Sequence, residues 1–203
     1  MIPKIKIAYN RFLDPIFLGY IKGLEKHKDW VPPTKEEVIK RVKNYKALWA
    51  KYEAKVLPAM VEIFGHDFKR NQIDVHIVSG NPRGFSTPVV LKSGYSDVDF
   101  INCLIHELIH CLFADNCNNT EDGKCTCVKH VYPHENKTVE NHVFLHAMLQ
   151  KIYLDVLNEP ERMEAELAFT KNSKYGYDIA WKIVEEKGYQ NIIDAYKKGA
   201  LIS

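Results

Sequence analysis

Phe100–Phe113 reads FINCLIHELIHCLF, with apolar side chains on most sides of a helical projection. A helix that is apolar nearly all round is a buried one, so this stretch anchors the fold. It nevertheless carries His106, Glu107 and His110, and burying two imidazoles and a carboxylate is costly unless something satisfies them. Residues i and i+4 of a helix share a face one turn apart, so both imidazoles can reach one Zn²⁺ ion. Glu107, one residue round from that face, is placed to act as a general base beside the ion's open position. Chance alone produces this five-residue pattern in about one chain of this length in a hundred.

Upstream, the pattern predicts a small sheet. Ile73-Asp74-Val75-His76-Ile77 alternates apolar and polar residues, which is the period of a half-buried strand. Residues 2–9 give a second short strand, and Phe85–Lys92 a further extended stretch. Pro88 within that stretch points to an edge strand, because proline cannot donate to a ladder. Between the first two strands, Asp14-Pro15 opens a helix fading near Lys28. Thr34 and Glu37 form a capping-box pattern at the head of a longer helix. Its stripe Val38, Val42, Tyr45, Leu48, Trp49, Tyr52 and Val56 recurs at spacings of three and four, until Pro58 kinks or ends it. Asp97 or Asp99 is the expected N-cap of the histidine helix.

Downstream, residues 116–137 read as a polar Cys/His-rich loop, followed by helices from Thr138 to about Leu157, from Pro160 to about Lys171, up to Gly188, and through Ile192–Lys198. The expected architecture is a single α+β domain over residues 1–203. It comprises a mostly helical part (1–70), a small mixed sheet with an edge strand beside the active-site helix (71–115), the loop (116–137) and a helical C-terminal lobe (138–203).

Composition bounds the function. The 203 residues carry 28 Lys or Arg against 26 Asp or Glu, a formal charge of +2, with 46% hydrophobic residues. That excludes intrinsic disorder, and a balance so near neutrality disfavours nucleic-acid or membrane-surface binding. The N-terminus lacks a signal-peptide pattern and no segment reaches the length of a membrane span, so the expectation is a soluble, cytoplasmic protein. Six of nine histidines and four of five cysteines fall between positions 106 and 146.

A catalytic zinc site takes three protein ligands and leaves one position for water. The metzincin pattern needs glycine and histidine where this chain has Phe113 and Asn116, so it is excluded. His142 and His146 form a second i, i+4 pair on an apolar helix. His142 is the favoured third ligand, with His146 supporting it. Glu140, Glu121, His130, His134 and Glu135 are the alternatives. Glu140 lies about 200° around the helix from His142, so those two do not serve one ion.

HELIH on a buried helix, followed by a second helix with the remaining ligand, resembles the zincin metallopeptidases. The gluzincins, including their minimal forms, look closest. Their second helix carries Asn-Glu-x-x-x-Asp; here Asn141-His142-Val143-Phe144-Leu145-His146 falls on that pattern with histidine at both acidic positions. Three histidine ligands are also the set of the Spartan-like peptidases. Lys174-Tyr175-Gly176-Tyr177 through Gly188 resembles the tyrosine-glycine start of a late helix in gluzincin-like domains. The resemblance implies a zincin-like fold and a peptide or protein substrate, with Tyr175 or Tyr177 beside the developing oxyanion.

The expected activity is therefore that of a zinc metallopeptidase, a hydrolase in which Glu107 moves the proton. The alternatives are an inactive, zinc-stabilised binding or regulatory protein on the same scaffold, and a Spartan-like DNA-associated protease. Cys117, Cys125, Cys127 and His130 are candidates for a second, structural metal, with a disulfide or reduced thiols as the other outcomes.

Overall fold

A computed structural model describes residues 1–117, 128, 131–170 and 175–202. The described residues form α and β elements in two compact units, one of residues 3–53 and 70–108, the other of residues 1–2, 54–69 and 109–203.

The first unit contains the sheet. Strands β1 (Lys4–Tyr9), β2 (Gln72–Val78), β3 (Phe85–Ser86) and β4 (Val89–Lys92) lie in the order β1-β2-β4-β3. β1, β2 and β4 are parallel, and β3 is antiparallel to β4. Alternation fixes the register: Ile5 pairs with Ile73 and Ile7 with Val75, all buried, while Lys4 and Lys6 face solvent. Helices α1 (Asp14–Lys22) and α2 (Lys35–Trp49) and a short 3₁₀ turn (Glu25–His27) connect β1 onward.

The capping box forms as the sequence predicts. Glu37 N donates to Thr34 Oγ1 at 3.2 Å, and Thr34 N donates back to Glu37 Oε2 at 2.7 Å. The helix behind it is shorter than its stripe suggests. It ends at Trp49, the chain tightens through Ala50–Tyr52, and α3 (Glu53–Phe64) carries Pro58 in its interior. Pro58 has no N–H to give the carbonyl one turn back, yet α3 runs through it rather than stopping there.

Phe85–Lys92 is not one edge strand but a hairpin. Pro88 occupies the turn between β3 and β4, where its missing N–H removes no ladder bond. The two-residue β3 is the edge strand on this side, β1 being the other edge, and β4 lies inside the sheet.

From β4 the chain enters α4 (Asp97–Asn116), the helix that carries HELIH. Ser96, not Asp97 or Asp99, caps it: Asp99 N donates to Ser96 Oγ at 3.1 Å, and Ser96 Oγ donates to Asp99 Oδ2 at 2.7 Å. The approach to α4 is braced from α2. Arg41 donates to the carbonyls of Ser93 and Tyr95, Tyr45 OH reaches the same two oxygens at 2.8 and 3.0 Å, and the Tyr45 ring stacks 3.7 Å from Phe100. Ile101, Leu104, Ile105, Leu108, Ile109 and Leu112 of α4 are fully buried. Each contributes about 1.5–3 kcal/mol relative to an exposed position.

The second unit is helical. It holds α3, the end of α4, α5 (Lys137–Lys151), α6 (Pro160–Thr170), α7 (Tyr177–Lys187) and α8 (Tyr189–Lys197). α5 continues as a π-helical turn over Ile152–Val156, so the helix expected to reach Leu157 shifts to hydrogen bonds five residues apart, Leu157 N donating to the Ile152 carbonyl, before it stops. An aromatic cluster joins these helices: Phe64 lies 5.1 Å from Phe113, and Phe144 4.1 Å from Tyr196. α7 starts from Gly176, whose φ of 97° favours glycine, and a Cβ there would come within 2.9 Å of Asn136 and Val139. No helix among the described residues is long and apolar enough to cross a membrane.

Candidate metal centre

His106, His110 and His142 each offer a ring nitrogen, and these three atoms lie within 4.8 Å of one another. Among the described residues it is the one such group of potential metal ligands. The first two come from successive turns of α4, as their spacing dictates. The third comes from α5, whose Asn136 N-cap accepts from Thr138 N at 2.9 Å. His106 and His110 are half-buried and His142 is buried.

Local chemistry leaves the cluster suited to a cation. His142 Nδ1 stands 2.7 Å from the Thr138 carbonyl oxygen. A carbonyl only accepts, so Nδ1 carries the proton and the neutral ring keeps its lone pair on Nε2. That Nε2 faces His110 Nε2 at 3.3 Å, with the two rings steeply inclined at 77°. Burial, and then the neighbouring His142, push His110 down to about 3. Burial pushes His142 down to about 4, against the opposing effect of the Thr138 hydrogen bond. Both rings are therefore neutral near pH 7, the state a metal requires of imidazole.

Glu107 is buried, at 7% exposure. Burial raises its carboxyl to about 8, while the positive charge of Arg83 opposes that rise. Its side chain packs against the backbone of Gly84, beside Cys103 Sγ.

His146, the other half of the α5 pair, is fully buried and does not belong to the cluster. Its ring stacks on Trp181 at 4.1 Å and 9°, and burial holds its pKa well below the usual value. Tyr177 sets its ring edge-on to His142, 4.6 Å away, whereas Tyr175 is 62% exposed. Glu140 is buried but turned to Lys137 Nζ at 3.1 Å, outside the cluster. His134 Nδ1 accepts from Asn136 N at 3.0 Å, also outside it. Glu135 is exposed.

Cys117 is disulfide-bonded, and a sulfur so engaged has no thiolate to offer a metal. Glu121, Cys125, Cys127 and His130 lie outside the described residues.

Three contributors to the site carry no sequence signal. Thr138 acts through its backbone carbonyl, which any residue type supplies. Trp181 and the Arg83-Gly84 pair meet their partners across 35 and about 23 residues of chain, so no local period connects them.

No protein-family model, no curated protein and no solved structure matches the chain.

Proposed function

We propose that this chain is a zinc-dependent metallopeptidase of zincin type, with His106, His110 and His142 holding the ion and Glu107 as general base. The observation that carries the reading is the three-histidine cluster, with a buried carboxylate next in sequence to one of its members. Zn–N bonds of about 2.0–2.1 Å at a tetrahedral angle separate two ligand nitrogens by about 3.3–3.4 Å. The two Nε2 atoms of His110 and His142 lie 3.3 Å apart. Three imidazole ligands also match the ligand count of a catalytic rather than a structural site.

When bound, zinc in such a site supplies Lewis acidity, activating water toward neutral pH and polarising the scissile carbonyl. The remaining steps fall to the chain's own groups. Glu107 takes the proton of the attacking water and passes it to the departing amine. Burial raises this carboxyl to about 8 in the metal-free chain, and a cation held by the neighbouring histidines would lower it again, so that the carboxylate is there to accept the proton. Thr138 holds His142 in the tautomer that presents Nε2. Tyr177, whose ring lies against His142, is better placed than the exposed Tyr175 to act beside the oxyanion. The peptide substrate has the short edge strand β3 to lie along, rather than the whole of Phe85–Lys92.

The test is Glu107→Gln in zinc-loaded protein. Hydrolysis of a quenched fluorescent peptide mixture falls by about 10²–10⁴-fold while bound zinc per chain stays unchanged. Retained activity, or loss of zinc, refutes the role of Glu107.

A further inference from the structure

We infer that Gly84 is a positioning residue for Glu107, an inference that rests on the peptidase reading above. Gly84 immediately precedes β3, and its Cα lies against the general base. A Cβ at this position would overlap Glu107 Oε1 and come within 2.9 Å of Cys103 Sγ and 3.1 Å of Glu107 Cδ. The backbone of Gly84 is outside the left-handed region, so any residue could adopt its conformation. What calls for glycine here is space.

Neither backbone wall is free to retreat. Asn81, 3% exposed, donates its Nδ2 to the Val90 carbonyl at 3.0 Å and accepts from Arg83 N at 3.3 Å, which ties the loop to β4. On the other side, α4 is fixed by Leu104 and Leu108, both fully buried. The part that can move is the Glu107 carboxylate. A side chain at position 84 therefore displaces the base while the helix and its histidines stay in place. Misplacing a catalytic group by about 1 Å costs up to about 100-fold in rate.

The experiment compares Gly84→Ala with Gly94→Ala in the full-length, zinc-loaded chain. Gly94 has an ordinary φ, and a Cβ there meets nothing within 4 Å, so it reports any general effect of losing a glycine. With a quenched fluorescent peptide, G84A lowers kcat by about 10- to 100-fold, leaves KM within about twofold and leaves zinc per chain unchanged; G94A behaves as wild type. The decisive background is Glu107→Asp combined with Cys103→Ala, which withdraws both side chains that a methyl group at position 84 would meet. Adding G84A to that background costs less than about twofold, because the contacts it would disturb are already gone. Equal activity of G84A and wild type, or losses that multiply in the combined variant, overturn the inference.

If G84A does not fold, recovery of folding in the combined variant reads the same contacts, and absence of recovery overturns the inference. If the wild-type protein hydrolyses no peptide, the peptidase reading fails on its own. Crystal structures of wild type and G84A then decide the inference: a shifted Glu107 carboxylate supports it and an unmoved one refutes it.

Discussion

Helices α4 and α5 each carry two histidines four residues apart, and the two pairs meet different fates. On α4, His106 and His110 both enter the cluster. On α5 the pair divides: His142 joins them, while His146 lies flat on Trp181 with no exposed surface. The same spacing puts both members of each pair on one helix face. What that face meets decides the rest. One turn of α5 brings His142 to His110, and the next meets the indole of α7. A histidine pair in a sequence thus marks a face, and only the packing opposite it tells a member of the cluster from an aromatic core residue.

The largest effects come from removing His142 itself and, separately, the indole on which His146 lies. His142→Ala lowers zinc affinity by at least about 100-fold, as judged by competition with a chromophoric chelator. Trp181→Ala leaves affinity within about tenfold but lowers stability in urea by about 3–5 kcal/mol, the cost of emptying the site under His146. Equal losses of zinc in the two variants would erase the distinction between the pair's members.

Acid probes the same division through stability. The folded-state values of His110 and His142, about 3 and about 4, lie below the usual 6.5. The unfolded chain therefore binds more protons below pH 6.5 than the folded one does. The contribution of these two rings to the stability of metal-free protein is at its full value above pH 6.5 and falls as pH drops toward 4 and then 3, while Glu107, raised to about 8, works in the opposite direction. The slope is up to about 1.4 kcal/mol per group per pH unit. Urea titrations with chelator at pH 7.5 and pH 5 measure it in Glu107→Gln protein, where the opposing titration of Glu107 is removed, and a flat profile there would mean that these rings are not neutral in the fold. The smallest effect belongs to Glu140. Its ion pair with the exposed Lys137 is worth less than about 1 kcal/mol, so Glu140→Gln changes both zinc affinity and stability little.

Much of the frame was legible because it is written in local periods. The alternation of Ile73, Val75 and Ile77, the Thr34–Glu37 box and the apolar surround of HELIH each specify an element from within one or two turns of chain. The hairpin at Pro88 was less so, since proline signals both an edge and a turn, and only the pairing of Phe85 with Val90 separates them. The choice of Ser96 over Asp97 as cap turned on a single residue of register. In the candidate site, His106 and His110 follow from helix geometry alone. The contacts of Gly84 with Glu107 and of His146 with Trp181 do not, because they join positions far apart in sequence through shape rather than pattern.

Whether His106, His110 and His142 hold one ion is read by X-ray absorption at the zinc edge of protein loaded with one equivalent. The expected spectrum shows three imidazole nitrogens and one further light atom at about 2.0–2.1 Å, dropping to two imidazoles in His142→Ala. Sulfur scattering at about 2.3 Å, or an imidazole count unchanged by that substitution, would contradict it.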